Sequence, residues 1–415
     1  MAQVGKMLVA IAAIIAGVAA LAPGPGASSE HFVIVNDNDY YGNSQGNNFG
    51  TILKLAGTKQ NPALEQVASL ATGEPSVTQG SLVPTVQVVR EGSDTCVFLA
   101  DSAGARAATP NEISSFLYPS GKEVGSYSDS NVTSPELSGI IIVAQNGYLF
   151  AAYDGYDNGN QVSNYMATWK INAGCTLTLF QTYQLSDTDA VFSMAATPDG
   201  KTLVASYEHG GVCCIGSFSI GHAGTLTEHG PYYVFDAATI WGMDITADSK
   251  YAIFNIAGNC QPHPVCHTQI NINPINPDGS LGDGPTFGGD GSLGTAHAGG
   301  WVRLSPDERF LFTTDDWDEV TTLNFTESPL NVTYSGCLTE LKIPNGEPSV
   351  ISQAIATAGR SGAGRAIYVA ETASVALLAV NEKTGCTTEA SSSPFLIPDV
   401  NVNSASLVAW PPRGF

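Results

Sequence analysis

Short apolar runs, each only a few residues long, recur along the whole chain and are separated by polar turns. The clearest unit is Phe192 to Ala196, then Thr197-Pro198-Asp199-Gly200, then Lys201 to Tyr207. Met243 to Ile245, Thr246 to Ser249 and Lys250 to Asn255 repeat it. Val302 to Leu304, Ser305 to Glu308 and Arg309 to Thr314 repeat it again. In each copy an apolar strand leads into a turn, and the turn into a strand rich in β-branched and aromatic residues. Pro presets φ and Gly accepts φ > 0, so Pro-Asp-Gly predicts a tight connection between two strands.

Weaker copies follow the same grammar. Val86 to Gly92 precedes Cys96 to Ala100, Ile140 to Gly147 precedes Tyr148 to Ala152, and Gly362 to Arg365 precedes Ala366 to Ala370. The second strands begin near Phe32, Val97, Tyr148, Thr202, Tyr251, Phe310 and Ala366. A period of roughly 50 residues or slightly more, with several short strands per unit, predicts a β-propeller. Third strands such as Gly50 to Leu55 and Val320 to Phe325, and fourth strands such as Gly174 to Leu179, make each blade four-stranded. His31 to Val35 is a second strand with no first strand before it, and Ser406 to Trp410 is a first strand with nothing after it. Joined, they complete one blade. The predicted fold is all-β: a seven-bladed propeller closed by the C-terminal strand pairing in the N-terminal blade.

Composition narrows the class. The chain has 415 residues, 43% of them apolar, enough for a large core. Only 13% are charged, and the formal net charge is −22. Acidic disordered segments combine dense charge with low hydrophobicity, so disorder is excluded. Clustered Lys and Arg, needed on a phosphate backbone, are lacking, so no nucleic-acid partner is expected. The abundance of Gly (44) and Pro (23) suits many short strands with tight turns.

Lys6 precedes an apolar run from Met7 to Ala22, broken by Pro23-Gly24-Pro25-Gly26. This is the form of an export signal, placed at 1–27, with an uncleaved N-terminal anchor as the alternative. No later run is long enough to span a membrane. The expectation is a single propeller domain over 28–415, secreted or periplasmic, without a transmembrane segment and monomeric.

The Pro-Asp-Gly turns and following apolar strands resemble the lactonase-type seven-bladed propellers of the WD40/YVTN-like superfamily, including YVTN-repeat and 6-phosphogluconolactonase-like proteins. Segments such as Asp244 to Phe254 and Ala405 to Arg413 look like an exported bacterial branch. The resemblance implies a lactonase site with an Arg-His pair ahead of the strand leading to Pro-Asp-Gly, and a Glu after the next strand. Glu208 stands where that Glu would fall, with His209 beside it. The Arg-His positions are Phe192 and Ser193 in one blade and Gly300 and Trp301 in another, so the pair is missing. Glu208 and His209 are the candidate catalytic acid/base residues. Arg90 or Arg303 converging with Glu208 or His297 would supply the cation that polarises a carbonyl.

Six of the seven second strands end in a carboxylate: Asp37, Asp101, Asp154, Glu208, Asp315 and Glu371. In a propeller these positions share one face. Two readings stay open. The row is a rim that binds Ca²⁺ or cationic ligands through hard oxygen donors, or each carboxylate caps its own turn.

The 8 cysteines of an exported chain predict disulfides. Cys260 and Cys266 span a short Pro-stiffened loop and form the preferred bridge, and Cys337 can pair with Cys386. Cys260, His263, Cys266 and His267 are the alternative, as zinc ligands. The connectivity of Cys96, Cys175, Cys213 and Cys214 is not legible. The functional expectation is an exported module at the cell envelope that binds a small molecule, a glycan or a protein. The alternative is a lactonase or cycloisomerase-like enzyme acting on sugar lactones or related acids.

Overall fold

The computed structural model describes residues 31–36, 47–58, 61–75, 85–101, 112–129, 137–157, 160–185, 190–209, 212–233, 237–258, 267–294, 299–315, 319–342, 354–358, 366–371, 374–397 and 406–410. Residues 1–27, the expected export signal, lie outside them.

The strands group into successive antiparallel sheets, the blades. Blade 1 holds β1 (Phe32–Asn36), β2 (Asn47–Gly57) and β3 (Pro62–Pro75). Blade 2 is β4 (Val86–Glu91), β5 (Asp94–Asp101), β6 (Glu112–Tyr118) and β7 (Lys122–Tyr127). Blade 3 is β8 (Leu137–Gln145), β9 (Tyr148–Asp157), β10 (Asn160–Ile171) and β11 (Leu177–Gln184). Blade 4 is β12 (Ala190–Ala196), β13 (Thr202–His209), β14 (Val212–Ile220) and β15 (Leu226–Tyr233). Blade 5 is β16 (Ala237–Ile245), β17 (Tyr251–Gly258), β18 (Thr268–Pro274) and β19 (Thr286–Gly288). Blade 6 is β20 (Gly299–Leu304), β21 (Phe310–Asp315), β22 (Glu319–Glu327) and β23 (Leu330–Glu340). Blade 7 is β24 (Ala354–Ala358), β25 (Ala366–Glu371), β26 (Ser374–Val380) and β27 (Thr387–Glu389), with the two-residue β28 (Phe395–Leu396) also on β26.

The last strand, β29 (Ser406–Trp410), completes blade 1. It pairs antiparallel with β1 from Phe32↔Trp410 to Asn36↔Ser406. The fold is the predicted seven-bladed propeller of four-stranded blades, closed as the split repeat requires.

Second strands read as continuous apolar runs because both faces of each blade are covered by its neighbours. Every residue of β1 and β25 is buried. In blade 4, Val204 and Ile215 pack on Ile240, Met243, Ala252 and Phe254 of blade 5. In blade 5, Ile270 and Ile272 pack on Leu304, Leu311 and Leu323 of blade 6.

The turn between first and second strands is built from one side-chain device in blades 4, 5 and 6. The hydroxyl of Thr197, Thr246 or Ser305 accepts the N–H of Thr202, Tyr251 or Phe310 at 2.9, 3.0 and 3.1 Å. It donates to Asp199, Asp248 or Asp307 at 2.8, 2.9 and 2.7 Å. The aspartate also accepts the N–H two residues on and pairs with that residue's side chain, Lys201, Lys250 or Arg309.

The residue after the aspartate is left-handed: Gly200 (φ 70°), Ser249 (φ 64°) and Glu308 (φ 57°). At Gly200 a Cβ would fall 1.9 Å from Asn146 Nδ2, so the Asn146 side chain, which donates to the Gly200 carbonyl, would have to move aside. Ser249 and Glu308 instead use their side chains on the preceding blade. Ser249 Oγ accepts the Asp199 N–H at 3.0 Å, and Glu308 Oε1 accepts the Ala247 N–H at 2.5 Å. Consecutive turns are thus pinned to one another around the ring.

These aspartates set an acid limit. Burial favours the neutral carboxyl, but the hydroxyl, main-chain and Lys or Arg hydrogen bonds outweigh it. Asp199, Asp248 and Asp307 therefore titrate below their ordinary value. A depressed folded-state pKa stabilises above the unfolded pKa of about 4, and that contribution disappears as pH falls through the folded value. We expect the urea midpoint to fall as the solution is acidified below about pH 4. In the Asp199→Asn/Asp248→Asn/Asp307→Asn variant the fall should be shallower, and equal slopes in the two proteins would contradict the assignment.

Candidate functional site

The carboxylate row lies at one end of the blades, where each second strand passes toward its third. Asp101 and Glu371 are the last residues of β5 and β25, and Asp315 is the last of β21. Asp154 pairs with Gly139, and Glu208 with Ala190 and Cys213. Blade 5 has no carboxylate at this level, where Ile256 follows Asn255. Asp37 follows β1 outside the described residues, as do the side chains of Asp154, Glu208, His209 and Asp315.

Two members of the row are described as side chains, and neither faces solvent. Asp101 is 2% exposed and accepts the Ser114 hydroxyl at 2.5 Å. Glu371 is 1% exposed and accepts the Ser374 hydroxyl at 2.8 Å. Both serines belong to the adjacent third strand, so each carboxylate ties the two strands together next to their connection. Burial demands such a partner, because an unpaired carboxylate away from water is costly.

Polar residues just before this level do a different job. Asn36, fully buried, donates from Nδ2 to the carbonyls of Thr85 and Ala100, both at 3.0 Å. Ser206 donates to the Ile240 carbonyl at 2.8 Å, and Asn255 donates to that of Trp301 at 3.4 Å. Each pegs its blade to the next. The signal was present in the sequence as a polar residue inside an apolar strand, but its target lies in another repeat.

Arg303 and Arg90 do not supply the converging cation. Arg303 lies in β20, four residues from Gly299, which pairs with Asp315. At about 3.3 Å per residue it stands roughly 13 Å from the carboxylate end. Its Nε donates to the Ile355 carbonyl at 3.1 Å, and its Nη1 meets Asp244 Oδ1 at 3.4 Å. Asp244 also accepts the N–H groups of Leu304 and Ile245 at 2.8 and 2.9 Å. Arg303 therefore joins the first strands of blades 5, 6 and 7. Arg90 is exposed and lies next to the turn at the same distant end of blade 2. His297 is outside the described residues. At the family's Arg-His positions, Ser193 and Trp301 are buried in the blades.

One serine and histidine do meet. Ser219 Oγ lies 2.5 Å from His229 Nε2, but it also lies 2.7 Å from the Asp278 carbonyl, which can only accept. The hydroxyl has one proton and the carbonyl takes it, so the imidazole N–H donates to Ser219. A histidine in that role is not poised to deprotonate the serine, and the pair fastens blade 4 to the Asp278 turn of blade 5.

Cys337 is bonded to Cys386, as the sequence allowed, and Cys96 to Cys175, which it did not reveal. Cys260, His263 and Cys266 lie outside the described residues. Among the described residues no group of three or more His, Cys, Asp or Glu could hold a metal ion, and no helix is long and apolar enough to cross a membrane.

No protein-family model and no curated protein matches the sequence. Solved structures do match the fold. One is the periplasmic gluconolactonase of Pseudomonas aeruginosa, with TM-score 0.65 and 13% identity over 92% of this chain and 99% of that one. Putative 6-phosphogluconolactonases of Bacteroides uniformis and Bacteroides fragilis follow at TM-scores of 0.64 and 0.63, with 13% and 14% identity. Each covers 92% of this chain, and 100% and 98% of those chains are matched in turn. At such identities the likeness is one of fold, and one propeller carries many activities.

Proposed function

We propose that this chain is a propeller of the cell envelope that binds a small molecule, glycan or protein at the end of the blades where the second strands finish. The observation that carries this reading is the commitment of Arg303. Lactone opening needs a group to polarise the carbonyl beside an acid/base pair. Arg303 is held by Asp244 and the Ile355 carbonyl at the opposite end from Glu208. The buried, serine-bound Asp101 and Glu371 further support a structural use of the carboxylate position. The two disulfides among the described residues fit an oxidising compartment.

The second reading, a lactonase using Glu208 and His209, is favoured by the fold shared with a periplasmic gluconolactonase. A panel of sugar lactones, phosphorylated and not, decides between them. We expect hydrolysis no faster than in buffer, both for the wild type and for Glu208→Gln. Turnover by the wild type that falls about 100-fold or more in Glu208→Gln would establish the lactonase instead.

A further inference from the structure

The seam between blades 4 and 5 contains three buried oxygen atoms that no hydrogen bond satisfies. Ser217 is fully buried, and Asn271 and Asn273 are 5% and 8% exposed. Ser217 Oγ, Asn271 Oδ1 and Asn273 Oδ1 have no hydrogen-bond partner among the described residues. Buried polar atoms left this way are few in a native fold and mark an occupant such as water or an ion.

Strand register places all three in one seam. Directly opposed residues of an antiparallel pair share a face. Asn271 pairs with Phe254 and Asn273 with Ala252, and both of those partners pack toward blade 4. The alternate residues of the same strand, Ile270 and Ile272, pack toward blade 6. On the other side Ser217 pairs with Val204, which packs toward blade 5. Ser219, two residues on, reaches blade 5 directly at the Asp278 carbonyl. Ser217 thus faces the strand that carries the two asparagines.

The carboxamides are locked with their oxygens outward. Asn273 Nδ2 donates to the Gly282 carbonyl at 2.8 Å and Asn271 Nδ2 to Thr286 Oγ1 at 2.9 Å. The intervening backbone lies tightly on β18, since a Cβ on Gly284 would fall 1.7 Å from the Ile272 oxygen. Turning either amide would set its oxygen against a carbonyl that can only accept, that of Gly282 for Asn273 and that of Pro285 for Asn271.

We propose that this seam is a binding site for one monovalent alkali cation, held by Asn271 Oδ1, Asn273 Oδ1 and Ser217 Oγ with water completing its shell. The donors are hard oxygens, the class that suits such ions. None is a carboxylate, which argues against a divalent ion. The only proton among the three belongs to Ser217, so acceptors outnumber donors. The net charge of −22 raises the local concentration of cations of any kind.

The test is thermal melting of the full chain in NaCl, KCl or choline chloride at equal ionic strength, so that screening is the same in all three. We expect NaCl or KCl to raise Tm by about 2 °C or more over choline chloride. In Asn271→Leu/Asn273→Leu, isosteric but without acceptors, that increment should vanish. Ser217→Ala is the milder companion, needed if the double variant does not fold, and it should reduce the increment. Equal melting of the wild type in all three salts would overturn the proposal and leave the seam to water alone. So would an increment that persists in full in the variants.

Discussion

A chain ending at Ala405 is expected to lose its cooperative fold. Removing residues 406–415 takes away β29, whose pairing with β1 closes the ring. Leu407 and Ala409 are buried in the same cluster as Val33 and Val35 of blade 1 and Ile355 of blade 7. Val408 and Trp410 pack on the other side, against the cluster that holds Phe32 and Ile34 with Val86 and Val97 of blade 2. Ser406 Oγ accepts the Thr85 N–H at 3.2 Å. Burying the Leu407 side chain contributes about 1.5–3 kcal/mol, the half-buried Val408 and Trp410 part of that range each, and each lost ladder hydrogen bond about 1 kcal/mol. The sum, on the order of 5–10 kcal/mol, is comparable to the whole stability of a typical domain. The truncated protein should show no sharp thermal transition by near-ultraviolet circular dichroism, and a peptide spanning 401–415 added in trans should restore one. A truncated chain that melts cooperatively within a few degrees of the full chain would mean that ring closure is not what holds blades 1, 2 and 7 together.

The same closure shows why the architecture was so legible. The turns at Thr197, Thr246 and Ser305 are made by residues within five positions of each other. Local chemistry of that kind survives in a sequence read alone, and the second strands start at Tyr148, Thr202, Tyr251, Phe310 and Ala366, where it placed them. In blade 2 the strand begins earlier, at Asp94, directly after a two-residue turn at Gly92 and Ser93. The split blade was readable because its two halves were each incomplete.

What stayed hidden depends on the neighbouring blade. Arg303 looked like a free cation until Asp244, 59 residues away, was found beside it. Asn36 lies just past the strand read from the sequence, and its partner Thr85 is 49 residues away in the next blade. The carboxylates recur at one position, and the position alone did not say which way they face. Asp101 and Glu371 turn to serines of the adjacent strand, an outcome set by whether Ser114 or Ser374 stands within reach. A repeat pattern fixes the level of a residue in its blade, and the partner is fixed by the blade next to it.

The Cys96–Cys175 bond carries that logic into stability, and its removal is expected to be the largest effect of any two-residue change considered. Cys96 lies in β5 of blade 2, and Cys175 in the turn before β11 of blade 3. The bond spans 79 residues, with Cα atoms 5.3 Å apart. Both sulfurs are fully buried beside Ile140, Leu149, Ala167 and Trp169. The same turn is held by the Ser115 hydroxyl on the Cys175 carbonyl at 2.5 Å, and by the Gly174 N–H on Asp94 at 3.2 Å. Blade 3 therefore keeps its place after the bond is cut, and the variant should fold. The loss is mainly of the constraint on the unfolded chain, typically about 2–5 kcal/mol for a native disulfide. Cys96→Ala/Cys175→Ala should lower the urea midpoint accordingly, with m raised if anything, since the freed unfolded chain exposes more surface. The bond is sealed from solvent, so millimolar reductant should leave the native wild type intact for hours and act only on the unfolded chain. An unchanged midpoint in the double variant would mean that Ser115 and Asp94 suffice to join the two blades, leaving the disulfide energetically redundant.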